Sequence, residues 1–95
     1  MRTVEYKTSD YLNTPEEIVA YLNEVLEEDD PKLLMLALRN IADAKGGITA
    51  LAEQTGLNRE SLYKTLSGKR NPGIETINLI LHAYHLRLSV TTESR

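Results

Sequence analysis

Residues 58–71 hold the densest chemistry in the chain: Asn58-Arg59-Glu60-Ser61-Leu62-Tyr63-Lys64-Thr65-Leu66-Ser67-Gly68-Lys69-Arg70-Asn71. Four cations, two amides, two serines and a tyrosine in so short a stretch suit contact with nucleic acid. Arg59 can donate two bonds to guanine O6 and N7. Glu60 can accept from cytosine N4 but repels phosphate, so its place is deep in a groove or beside Arg59. Lys64 can reach a guanine or a phosphate. Asn58 and Ser61 serve equally well as helix caps or as contacts. Tyr63 either faces the DNA or packs on the preceding helix. The alternative chemistry is weak. His82 and His85 stand three residues apart, with Glu75 the nearest further ligand, two helical turns back. They read as a metal pair or, more simply, as two helix-end histidines near a favourable dipole. There is no Cys, no glycine-rich phosphate loop and no Ser/His/Asp set. We therefore expect no enzyme, no cofactor and no metal.

The elements that must carry these residues follow from their neighbours. Thr49 to Gln54 reads as a short helix with Leu51 and Ala52 inside. Gly56 suits the positive φ of a tight turn. Asn58 is a good N-cap for a second helix, Arg59 to about Ser67, closed by Gly68. Two short helices joined by a glycine-containing turn are the helix-turn-helix pattern. Small Ala52 lets the helices cross closely, and Leu57 and Leu62 plug the core below. The second helix then presents Arg59, Glu60, Ser61, Tyr63 and Lys64 to a major groove. Lys69, Arg70 and Asn71, in the loop beyond, should hold phosphates and set register. Thr49 and the amides beginning its helix should hold another.

Elsewhere Thr14-Pro15-Glu16-Glu17 starts a helix: Thr14 caps, Pro15 opens, Glu17 completes a capping box. Its apolar stripe reads as Val19, Leu22 and Leu26. Asp30 and Pro31 start another helix, buried through Leu34, Ala37, Leu38 and Ile41 and ended by Gly46-Gly47. Gly73 precedes a last helix, Ile74 to about His85, with Ile77, Ile80, Leu81 and Tyr84 inside. Leu86-Arg87-Leu88-Ser89-Val90 alternates like a half-buried strand. The expected fold is all-α, about five helices with one short C-terminal strand. That strand, through Leu86, Leu88 and Val90, either pairs with its twin in a homodimer or pairs within the chain with Val4 to Lys7. A dimer would supply the two half-sites that one small module needs.

The chain has 95 residues, no Phe, Trp or Cys, and five Tyr. That is one thin-cored domain built of aliphatic residues. Lack of Cys excludes a disulfide scaffold and a zinc ribbon and fits a reducing cytoplasm. No apolar run approaches the ~20 residues that cross a bilayer, and Met1 to Tyr6 has no apolar core of a secretory signal. The net charge of −3 hides a division. Residues 1–31 hold two basic and nine acidic residues, a net −7, whereas residues 32–95 hold nine and five, a net +4. An acidic arm and helix (1–30) thus precede a mildly basic domain (31–95). The acidic run Glu24 to Asp30 either solvates a helix face or meets a partner.

Leu51 to Lys64, followed by Ser67-Gly68-Lys69-Arg70-Asn71-Pro72 and Ile74-Glu75-Thr76-Ile77, resembles the Xre/Cro-type helix-turn-helix. More narrowly, roughly residues 8–92 resemble the probable addiction-module antidote proteins, a HigA-like branch. The cues are Tyr11-Leu12, Glu16-Glu17-Ile18, Tyr21-Leu22-Asn23-Glu24, Asp30-Pro31, Leu62 to Ser67 and Leu86 to Val90. The resemblance implies a lambda-repressor-like bundle and a cytoplasmic antitoxin. It would bind a palindromic double-stranded operator, repress its own operon and neutralise a RelE/ParE-like, HigB-type toxin. A prophage-type repressor without a toxin is the alternative. Ile48 departs from the pattern: relatives often carry a phosphate-gripping Gln there. Such a toxin is expected to be basic, so residues 1–30 are the expected toxin-binding surface, with Tyr6, Tyr11 and Tyr21 facing outward and the helix-turn-helix left for DNA.

Overall fold

The computed structural model describes residues 12–93, and among them every regular element is a helix. The order is α1 (Pro15–Glu27), α2 (Pro31–Ala44), α3 (Gly47–Thr55), α4 (Arg59–Leu66) and α5 (Ile74–Ala83). The local signals explain the boundaries. The Thr14 hydroxyl accepts from Glu17 N at 3.1 Å, and the Glu17 carboxylate accepts from Thr14 N at 3.0 Å and Asn13 N at 2.9 Å. Those amides, Asn13 first, hold the Glu17 carboxyl below the usual carboxylate range. Asp30 caps α2 by accepting from Lys32 N at 3.0 Å. Asp29 (φ 56), Gly46 (φ 105), Gly56 (φ 76) and Gly68 (φ 84) make the turns between elements, and His85 (φ 62) follows the last of them.

One core gathers Leu12, Ile18, Leu38, Ile41, Leu51, Leu62, Leu66 and Ile80, all almost wholly buried. α2 touches α1, α3 and α4; α3 touches α2, α4 and α5. The helix-turn-helix therefore rests on α2 and α5, and α1 lies on the far side against α2.

Four expectations are corrected. Leu86 to Val90 forms no strand. A strand exists only through a hydrogen-bonded neighbour, and the one expected within the chain, Val4 to Lys7, lies outside the described residues. The α1 stripe is also out of phase. Ile18, Leu22 and Val25 are buried, while Val19 and Leu26 are 42% and 55% exposed. Tyr21 does not face outward: it is half-buried, and its hydroxyl accepts from the Asn40 amide at 2.9 Å. Tyr6 and Tyr11 lie outside the described residues. Finally, α3 begins two residues before Thr49, because Ile48 is a core residue, 5% exposed, and belongs to the helix.

The end of α5 fixes the direction of the tail. His85 N donates to His82 O at 3.0 Å and Leu86 N to Leu81 O at 2.8 Å, the paired bonds of a Schellman ending. His85 occupies the left-handed position that glycine usually takes. Leu86 then packs against the core.

Tyr84, on the buried side of this ending, is pushed up to about 12 by burial and then by the negative charge of Asp43. Its folded value thus exceeds the ordinary 10.0. The neutral phenol's contribution is complete below that ordinary value and is lost as pH rises through the folded one. The urea midpoint of the parent should fall more steeply than that of Tyr84→Phe between about pH 10 and 12. Parallel curves would show that the phenol ionises as freely in the fold as in the unfolded chain.

Candidate nucleic-acid interface

The helix-turn-helix is built from α3, the turn Gly56-Leu57-Asn58, and α4. The turn is held from within. Thr55 Oγ1 donates to Leu51 O at 2.8 Å and accepts from Leu57 N at 3.2 Å, while Gly56 N donates to Ala52 O at 2.8 Å. Leu57 and Ala52 pack against the core, and Leu62 and Leu66 anchor the buried face of α4. Asn58 is the cap of α4, accepting from Ser61 N at 3.0 Å. With that face fixed inward, the opposite face must point outward: Arg59, Glu60, Tyr63 and Lys64 are all exposed.

Two arginines are already held by hydroxyls. Arg59 Nη1 donates to Thr49 Oγ1 at 3.3 Å, joining α4 to the third residue of α3. Arg70 Nη1 donates to Ser61 Oγ at 2.9 Å, drawing the loop after α4 back over its first turn. Thr49, Lys69, Arg70 and Asn71 are exposed, and Ser61 is half-buried. These two bonds tie Thr49 of α3 and Arg70 of the basic loop to the first turn of α4, beside exposed Glu60, Tyr63 and Lys64.

One member has no local signal in the sequence. The Arg39 guanidinium, on α2, lies over the Tyr63 ring, 5.4 Å from its centre. A cation on that aromatic face is worth about 0.5–1 kcal/mol at an exposed site. It also adds a positive charge beside α4. One side of the Tyr63 ring is thus covered from α2, a neighbour that the sequence did not indicate, while the residue stays 42% exposed. Only the tertiary crossing of α2 and α4 brings Arg39 there.

The other candidates fall elsewhere. His82 is exposed in the last turn of α5, and His85 follows that helix in a left-handed conformation. Among the described residues no group of three or more His, Cys, Asp or Glu side chains is placed to hold a metal ion. No helix among them is long and apolar enough to cross a membrane. Leu86 is half-buried, Leu88 is 49% exposed and Val90 is 96% exposed.

A family model described as "Probable addiction module antidote protein" matches residues 2–92. An uncharacterized protein of Haemophilus influenzae is 38% identical over 86 residues, which span 90% of this chain and 88% of that relative. No solved structure matches.

Proposed function

Because the chain belongs to the family of probable addiction module antidote proteins, we propose that it is an antitoxin that binds DNA through α3 and α4. It represses its own operon and neutralises a RelE/ParE-like, HigB-type toxin. One observation carries the DNA reading: the only core-anchored short helix with an open, cation-bearing face among the described residues is α4, and it follows a tight glycine turn. A helix offered this way fits the major groove of a duplex. Arg59 and Glu60 read base edges, and Lys64 reads a base or grips a phosphate. Tyr63, braced by Arg39, lies along the groove wall. Thr49, Lys69, Arg70 and Asn71 hold the backbone on either side. Asn58 and Ser61 sit at the start of the reading helix, with their side chains engaged as cap and as acceptor for Arg70.

One such module buries too little DNA for tight specific binding, so two copies act on a palindromic site. The tail from Leu86 through Leu88 to Val90 is the proposed pairing segment, joined through its backbone edge as one strand joins another, with Val90, outside the groove beside α1, its most exposed apolar side chain. Truncation after His85 should leave a monomer in sedimentation, and an unchanged mass would remove the tail from that role.

The test uses DNA from upstream of the protein's own reading frame against scrambled DNA. Arg59→Ala should cost about 1–3 kcal/mol on the former and little on the latter. Arg70→Ala should weaken both and reduce the salt slope by about one unit. If the parent binds the two DNAs alike at every salt concentration, α4 does not read sequence.

A further inference from the structure

Among the described residues, α1 and the tail leave a groove with an apolar strip uncovered. The tail runs alongside α1, and between them Val19, Leu22, Leu26, Leu81, Leu86 and Leu88 line a groove of about 740 Å³. Its floor is core, but its outer side chains are open: Val19 is 42% exposed, Leu26 55% and Leu88 49%. The shift in α1's buried phase is what places Val19 and Leu26 there. Burying them in the core would have closed this surface.

The surroundings of the groove define its occupant. Glu27, Asp29 and Glu93 line it, against one cation, Arg87. Over residues 12–31 the chain carries seven carboxylates and no basic residue. An apolar strip edged by polar residues such as Asn23 and Ser89 and flanked by that much negative charge fits a basic amphipathic segment, the helix-in-groove mode of recognition. A second copy presenting the same α1 would bring like charges together, and that repulsion disfavours it as the occupant. The groove also lies apart from the helix-turn-helix, since no residue of α3, α4 or the loop between Leu66 and Ile74 lines it.

We propose that the α1–tail groove is where a basic amphipathic segment of the cognate toxin docks, leaving the α4 face free. This rests on the antitoxin reading. It differs from simple attraction to an acidic arm because it requires the apolar positions Val19 and Leu26.

The experiment uses the full chain and the purified product of the adjacent reading frame. Val19→Lys with Leu26→Lys changes two exposed positions, so the fold and operator binding should be retained while toxin affinity falls at least about 100-fold. Parent affinity should also weaken with salt, as expected for opposed charges. Parent-like toxin binding by the double variant would overturn the groove and leave the antitoxin reading standing. No toxin binding by the parent would overturn the antitoxin reading and the groove with it. A variant that loses operator binding too is replaced by Val19→Ser with Leu26→Ser, read the same way. The chain has no cysteine, so a fluorophore on Leu26→Cys reports occupancy directly. Its emission should shift when toxin is added. A shift only on raising the protein concentration would assign the groove to a second copy. A shift only on deleting residues 1–11 would assign it to the chain's own arm. Either result would overturn the proposal.

Discussion

Leu62→Ala should lower the unfolding free energy by about 2–5 kcal/mol. Leu62 is 1% exposed and sits under the crossing of α3 and α4. Removing its branch opens a void that the short helices cannot close without sliding over one another. A chain of this size has only about 5–14 kcal/mol of total stability, so this one truncation removes a large share. The thermal midpoint should fall by about 4–8 °C for each kcal/mol lost. Tyr63→Ala, one residue on, removes an exposed ring and one contact with Arg39. It should cost well under half as much. Equal losses for the two variants would mean that α4 is not anchored through Leu62.

Gly46→Ala is expected to cost about 2–3 kcal/mol and Gly56→Ala about 1 kcal/mol. Both glycines have positive φ, but their surroundings differ. At Gly56 (φ 76) a Cβ would meet nothing within 4 Å, so only backbone strain opposes alanine. At Gly46 the backbone is farther from any region open to alanine (φ 105), and a Cβ would lie 3.1 Å from the Ala50 Cβ. That neighbour is on the first turn of α3 and can move only with the helix. Denaturant unfolding of the two variants gives the comparison. If Gly56→Ala costs as much as Gly46→Ala, the contact with Ala50 relaxes freely and strain alone sets the penalty.

Sequence legibility divides along physical lines. The starts of α1, α2 and α4 were readable because each is set by residues within four positions: Thr14 with Glu17, Asp30 with Pro31, Asn58 with Ser61. The helix-turn-helix was readable for the same reason, since Gly56 and its neighbours make the turn unaided. The phase of α1 was not. That helix carries apolar side chains at Ile18, Val19, Leu22, Val25 and Leu26, a stripe wide enough for two registers. Packing against α2 decides between them, and no residue of α1 encodes that choice alone. Alternation in Leu86 to Val90 indicated a strand, but pairing is a property of two segments. Arg39 was invisible for a similar reason: its role comes from where α2 crosses α4. At the candidate site, the residue types were legible but their mutual contacts, such as Arg59 with Thr49, were not.

The Schellman ending of α5 has a kinetic consequence. A terminal tail ordinarily loses conformational freedom when a partner captures it, at about 0.5–1.5 kcal/mol for each immobilised rotamer-rich side chain. Here the bonds from His85 and Leu86 back to His82 and Leu81, with Leu86 seated on the core, aim the chain along α1 in advance. The groove wall nearest α5 is therefore preorganised. Association at that surface need not wait for this part of the tail to order, and its rate should be set by diffusion and the field of the carboxylates. His85→Gly would keep the turn and relieve its left-handed strain, yet it would also give the unfolded chain more freedom. Stability gained in one state and entropy gained in the other nearly cancel. A histidine can thus hold a glycine's position at little net cost while keeping the exit of the tail stiff.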